Sequence, residues 1–303
     1  MRIESLHDAL AYFPDIDGFW DKFTVPETEY QIRLRLPQDR PQEGGENTVS
    51  LLTQLARVQA LSGNLAEARA TLDQAQQMLA ELKSAPDAVA QIRWLLEQGR
   101  VLCLSMSPSK ANDFFVRAWT LGTETGHVFF AVDAALMLST IRPPRFQNEW
   151  LQRALSLAET AEEGPVRLWL AHLLFLQGWH FFDFRQFDEA LACFDRALTQ
   201  PIVVENEVKG RAIQWSRGRT LRALDRVEEA LSIQLDLQRI MMRSGKVNGH
   251  VYLEIAECQQ LLRLQDEAKQ NFELAYAELS QNGWYSDNHS DDLNRMKYLS
   301  KKR

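Results

Sequence analysis

Cysteine is rare in this chain: 303 residues hold three, Cys103, Cys193 and Cys258, far apart and each inside a helical pattern. An odd, scattered set excludes a disulfide framework and a zinc site, and suits reduced, buried thiols. The six histidines, His7, His127, His172, His180, His250 and His289, form no HExxH or other close ligand pair, so no metal is expected. No apolar run approaches the roughly 20 residues that span a bilayer. The start, Met1-Arg2-Ile3-Glu4-Ser5 and then His7, carries polar groups where a secretory signal has an apolar core. A cytoplasmic protein without membrane contact is the expectation. Positive charge is also short, 34 Lys and Arg against 41 Asp and Glu, a formal net charge of −7. That balance argues against a nucleic-acid or anionic-membrane partner, either of which needs a basic face. The sequence has no P-loop, dinucleotide glycine motif, GxSxG or calcium loop, so neither catalysis nor a cofactor is expected. The acid pairs Glu162-Glu163 and Glu228-Glu229 sit where solvated helix faces belong.

What the chain has in quantity is a repeating phrase, a short turn followed by a helix with two small residues seven apart. It reads Gly63-Asn64-Leu65-Ala66-Glu67-Ala68 with Ala75, then Ser109-Lys110-Ala111 with Ala118. It returns as Arg185-Gln186-Phe187-Asp188-Glu189-Ala190 with Ala197, as Arg226-Val227-Glu228-Glu229-Ala230, and as Gln265-Asp266-Glu267-Ala268 with Ala275. A weaker copy carries Leu151 and Ala154.

These units resemble the tetratricopeptide repeat. Its first-helix small position falls on Ala56, Gly99, Ala135, Gly178, Gly218 and Ala256. The second-helix small position falls on Ala68, Ala111, Ala190, Ala230 and Ala268, with Gln147 out of pattern. The large residue after it is Leu72, Phe115, Leu151, Phe194 and Phe272, with Gln234 out of pattern. The final small residue is Ala75, Ala118, Ala154, Ala197 and Ala275, with Leu237 out of pattern. Small side chains let two helices approach along a seam, and the large one fills the space between them. One pair cannot bury its own apolar face, so stacked pairs build the core. The resemblance implies an all-α fold, an α-α superhelix (solenoid) of about six helix-turn-helix repeats. Every step between final small residues exceeds the ~34 residues of the common repeat, so longer helices or turns are expected. Pro143-Pro144 marks one extended turn.

The ends differ from the middle. Residues 1–46 read as an N-terminal capping segment and linker, 47–283 as the repeat array, and 284–303 as a C-terminal capping helix and basic tail. Apolar groups run from Ile3 to Phe13 and recur at Phe19-Trp20 and Phe23. Tyr30, Ile32, Leu34 and Leu36 alternate with polar residues, which suggests a short extended segment between Pro26 and Pro37, a helical turn being the alternative. Pro37 to Glu46 reads as a polar linker. Ser290-Asp291-Asp292 suits the start of a final helix through Lys301.

A closer resemblance, over roughly residues 48–280, is to a widespread bacterial and fungal family of tetratricopeptide proteins without an assigned activity. It rests on the runs Leu51 to Arg57, Arg93 to Arg100, Asp133-Ala134-Ala135, Gln177-Gly178-Trp179 and Trp215 to Arg222. The chain departs from that pattern at Leu136-Met137, where the family has histidine and methionine, and at Phe175-Leu176, where it has asparagines.

In such repeats the first helices line a concave face. The positions that would carry a carboxylate-clamping asparagine hold Gln54, Glu97, Asp133, Leu176, Ser216 and Glu254, so that clamp is not expected. The candidate ligand-binding residues are Arg57, Arg93, Arg100, Asp133, His172, Trp179, Trp215, Arg219, Arg222 and His250. Arg93 with Arg100, His172 with Phe175, Trp179 and Phe182, and Trp215 with Arg219 and Arg222 each share a helix face. Two readings stand side by side. The face binds a ligand, or its aromatics pack and its arginines pair with acids such as Glu97 and Asp133. The leading functional expectation is a non-catalytic scaffold for a protein or peptide bearing acidic and apolar groups. The alternative is a regulatory sensor module for a small signalling peptide or metabolite.

Overall fold

A computed structural model describes residues 24–36, 45–81, 88–161, 164–204 and 207–301, and every regular element among them is an α-helix. The chain forms two compact units, residues 1–173 and 174–303. In the first, α1 (Val25–Arg35) packs on α2 (Gly45–Leu61), and α2 pairs with α3 (Leu65–Glu81). Two further pairs follow, α4 (Ala88–Leu104) with α5 (Pro108–Glu124) and α6 (Val128–Ile141) with α7 (Pro144–Thr160), and α8 (Gly164–Asp183) begins here. The second unit holds the end of α8, then α9 (Phe187–Leu198) and the single turn α10 (Pro201–Val204). Its pairs are α11 (Glu207–Ala223) with α12 (Val227–Arg243) and α13 (Gly249–Leu261) with α14 (Gln265–Leu279), and α15 (Gly283–Asn288) and α16 (Ser290–Leu299) follow.

The seam is built as the small-residue pattern requires. Ala56, Ala135 and Ala256 are fully buried, as are Ala68, Ala111, Ala190 and Ala230 and the final alanines of the pattern. A Cβ on Gly99 would lie 2.4 Å from the Phe115 ring, and one on Gly178 would lie 2.6 Å from the Phe194 ring. The three residues that break the pattern each find a use. Gln147 donates from Nε2 to the Arg142 carbonyl at 3.1 Å, tying down the turn that Pro143 and Pro144 extend. Gln234 is fully buried in the slot that phenylalanine or leucine fills elsewhere, its Nε2 donating to the Trp215 carbonyl at 3.1 Å. Leu237 packs on Val251 and Ile255 of the following helix.

The turns inside the pairs are equally regular. Gly63, Met106, Arg185, Asp225 and Arg263 occupy one repeat position and all have left-handed backbones, with φ between +57° and +86°. The next residue's N–H reaches back to close each helix, as Asn64 to the Gln59 carbonyl at 2.8 Å and Ser107 to Leu102 at 2.9 Å. The same bond joins Gln186 to Phe181, Arg226 to Leu221 and Leu264 to Gln259.

Two expectations are corrected near the ends. The stretch from Tyr30 to Leu36 is not extended: residues Val25–Arg35 form α1. Thr24 accounts for it, since its N–H and Oγ1 both donate to the Glu27 carboxylate, at 2.9 and 2.8 Å, and Pro26 sits in the first turn where no N–H is missed. Period two was the misleading signal, because Thr28 and Ile32 are buried at helical spacing while Tyr30 and Leu34 face solvent. The linker is also shorter than its expected end at Glu46, because α2 already begins at Gly45. The apolar groups from Ile3 to Phe23, the linker residues 37–44 and the pair Glu162-Glu163 lie outside the described residues. At the far end α16 buries Leu293 and Met296 against Phe272 and Tyr252. Asp291 and Asp292 fall in its first turn and Lys297 in its last, favourable for the helix dipole.

Candidate functional site

The ten candidate residues fall into two groups, one in each unit. In the first unit, both terminal nitrogens of Arg100 on α4 are engaged. Its Nη1 donates to Glu97 at 2.5 Å, and its Nη2 bonds both oxygens of Asp133 on α6, at 2.6 and 2.5 Å. Arg57 on α2 reaches the same Glu97 at 3.7 Å. These four side chains are nearly buried, and two guanidinium groups balance two carboxylates. Burial alone would lower the proton affinity of Arg100, but Asp133 and then Glu97 outweigh it, so the group stays charged. Arg93 is buried and lies 5.0 Å from the centre of the Phe130 ring. His172 sits 6.4 Å from the ring of buried Trp169. Asp133 is thus a counter-charge inside a buried network in which Glu97 Oε2 has no hydrogen-bond partner, and Arg100 turns its fork toward protein groups.

The second unit repeats the device with a different balance. An arginine just after the first-helix small residue meets an acid just before that of the next repeat. Arg219 follows Gly218, and Glu254 precedes Ala256, as Arg100 follows Gly99 and Asp133 precedes Ala135. Glu254 is 1% exposed and receives three donors: Arg222 Nε at 2.8 Å, Arg222 Nη2 at 3.1 Å and Arg219 Nη1 at 3.2 Å. Burial lowers the proton affinity of Arg222 and Glu254 more than restores it. Two cations therefore share one carboxylate. Beside them Arg295 bonds Glu257, a separate neutral pair.

An aromatic chain runs past these charges. Trp179 lies 5.2 Å from Phe182 and 5.9 Å from Trp215, the two indoles tilted 32° apart. Trp215 donates its Nε1–H to the His250 carbonyl at 3.2 Å, and the two rings are 5.9 Å apart. His250 then meets Tyr285 at 5.3 Å, and Tyr285 stacks on His289 at 4.6 Å. The guanidinium of Arg219 is 5.5 Å from the Trp215 ring and 5.6 Å from the Phe182 ring. Burial, then the charge of Arg219 and the proximity of His289, pushes the His250 imidazole below its usual pKa, against the opposing pull of Glu254. Burial, then Asp292, pushes the Tyr285 phenol up.

Phe175, Trp179 and Phe182 pack together with Phe194, so the aromatics of α8 serve the core as well as the face. The part that Tyr285 and His289 play had no sequence signal, since both lie beyond the last repeat. Burial raises the Cys193 thiol to about 11 and the Cys258 thiol to about 12, so neither is a poised nucleophile. Among the described residues no group of histidine, cysteine and acids is placed to hold a metal, and no helix is long and apolar enough to cross a membrane.

No protein-family model and no curated protein matches the chain. Solved structures do match. A signal-transduction ATPase with a tetratricopeptide-repeat sensor from Pyrococcus horikoshii superposes with a TM-score of 0.69 at 13% identity, over 91% of this chain and 42% of that one. The apo form of RapI gives 0.59 at 16% identity, over 83% of this chain and 69% of that one. NprR in complex with its cognate peptide NprX gives 0.52 at 13% identity, over 90% and 79%. The fold is that of a tetratricopeptide-repeat protein. At these identities the likeness fixes the architecture, all-α and of the α-α superhelix class.

Proposed function

We propose that the protein is a non-catalytic binding scaffold, and that its ligand is a peptide or protein segment bearing both acidic and apolar groups. The observation that carries this reading is the surplus cation of the second unit, Arg219, set between Trp215 and Phe182 beside Trp179. Trp179, Trp215 and His250 are partly buried, so each keeps some surface toward solvent. Planar guanidinium pairs with carboxylates and stacks on indole, and the aromatic walls supply burial. The first unit's arginines hold the stack together and are left out of the ligand face. NprR, whose repeats share this architecture, was solved with a peptide bound, which supports a peptide ligand here. A regulatory sensor for a small signalling peptide or metabolite is the second reading, favoured by the description of the Pyrococcus repeats as a sensor. Three free thiols, two of them buried, and a net negative charge suit a cytoplasmic protein that does not bind nucleic acid.

The test is a peptide selection on the purified chain, followed by titration of the best binder against wild type, Trp179→Ala and Arg219→Ala at two salt concentrations. Each variant should lose about 1–3 kcal/mol of binding. Raised salt should weaken wild type more than Arg219→Ala. Unchanged affinity in both variants removes the second unit's aromatic face from the account.

A further inference from the structure

Two arginines that face one carboxylate do not share it equally. Arg222 grips both oxygens of Glu254 and is 23% exposed, whereas Arg219 makes one contact at 3.2 Å and is 35% exposed. The Nε of Arg219 is buried without a hydrogen-bond partner, and only its Nη1 bonds Glu254. Arg222 is therefore the main counter-ion of Glu254, and the outer end of Arg219 keeps donor capacity. Among the described residues, Glu257 bonds Arg295 and exposed Asp292 lies 3.4 Å from His289, which leaves one positive charge over with rings about it. In the first unit the same inter-repeat device holds two carboxylates, Glu97 and Asp133, against Arg57 and Arg100.

We infer that the second unit's site accepts a single carboxylate carried next to a flat apolar group, with the carboxylate on Arg219 and the flat group against Trp179 and Trp215. This rests on the binding reading above and narrows it. Glu254 acts as a built-in anion that, held by Arg222, limits the site's unmet charge to one. A monoanion matches that surplus, whereas a dianion or a run of acids meets the field of buried Glu254. A carboxylate of this kind occurs at the C-terminus of a chain ending in an aromatic residue, and equally on an aspartate beside one. The recognition chemistry is shared.

The probes are N-acetylphenylalanine, its amide, N-acetylglycine, phenyl phosphate and N-acetyl-aspartyl-phenylalaninamide, each titrated against the full chain by tryptophan fluorescence. N-acetylphenylalanine should bind at least tenfold more tightly than its amide, N-acetylglycine or phenyl phosphate. The aspartyl peptide separates the two sources: binding stronger than N-acetylphenylalanine points to an internal acid, and weaker binding to a chain end. Arg219→Gln should make the acid and its amide bind alike, and Arg219→Lys should restore part of the difference. Glu254→Gln should strengthen phenyl phosphate more than N-acetylphenylalanine. Where that variant fails to fold because two half-buried arginines lose their partner, the Arg219 pair decides alone. Equal binding of acid and amide by wild type, or phenyl phosphate as the tightest ligand, overturns the inference. Should selected peptides still lose affinity on Trp179→Ala in that case, the binding face survives and only its ligand class is lost.

Discussion

Gly99 and Phe115 approach so closely that the hydrogen on the glycine stands where any side chain would meet the ring, with 2.4 Å between a Cβ there and Cε1. Gly178 and Phe194 repeat the contact at 2.6 Å, and Ala56 with Leu72 and Ala256 with Phe272 fill the same two positions. Gly99→Ala gains helix propensity of about 1 kcal/mol but overpacks the seam by ~1–3 kcal/mol. The expected result is a net loss in urea titration. Gly283→Ala, where a Cβ meets nothing within 4 Å, should cost far less.

Gln234 stands where the other repeats place leucine or phenylalanine, and its Oε1 is buried without a partner. An unsatisfied buried carbonyl costs about 1–3 kcal/mol, more than the ~1 kcal/mol its amide N–H gains from Trp215. Gln234→Met, which keeps the volume, should therefore raise stability by about 1 kcal/mol. A loss of that size would mean that the amide bond to α11 outweighs the orphaned oxygen.

Met106 is 88% exposed and held at φ +57°, in the turn position that Gly63 fills one repeat earlier. A side chain there costs about 1–3 kcal/mol of backbone strain, partly offset by the entropy that glycine loses on folding. Met106→Gly should stabilise by about 0.5–1 kcal/mol, and Gly63→Ala should destabilise by a similar amount. Thermal melts of the two variants read both signs.

Much of this architecture was legible in the sequence because the repeat ties residue size to position: Ala68, Phe115 and Gly178 announce a seam that only their sizes permit. The out-of-pattern Gln147, Gln234 and Leu237 could be located but not interpreted, because their partners Arg142, Trp215 and Val251 depend on how turns and neighbouring helices meet. The strand-like alternation at Tyr30 to Leu36 misled because the capping box of Thr24 and Glu27 is worth more to this segment than its period. At the candidate site, helical spacing correctly grouped Trp215, Arg219 and Arg222 on one face. It could not tell a ligand-facing arginine from one serving a buried acid. Arg100 and Arg219 each bond an acid of the next repeat, Asp133 and Glu254; Arg100 has Glu97 of its own helix besides, whereas Arg219 shares Glu254 with Arg222.

His250 makes a pH dependence. Burial and the nearby positive groups depress its folded pKa below the ordinary value of about 6.5. As pH falls below that value the unfolded chain takes up a proton that the folded chain resists, so stability is present above it and is lost as pH falls. The melting temperature should drop between pH 7.5 and 5.5 by more in wild type than in His250→Gln. Equal slopes would show that His250 contributes nothing to acid lability.

The eight tryptophans offer the most direct check on where ligand binds. With 15N in the indole rings, each gives one Nε1–H resonance that reports its surroundings. Titration with a display-selected peptide should move the Trp179 and Trp215 signals most and leave Trp94, Trp119 and Trp150 in place, with assignment by Trp→Phe variants. Shifts confined to Trp94, Trp119, Trp150 or Trp169, with Trp179 and Trp215 unmoved, would contradict the claim that the second unit's aromatic and arginine face is the binding surface.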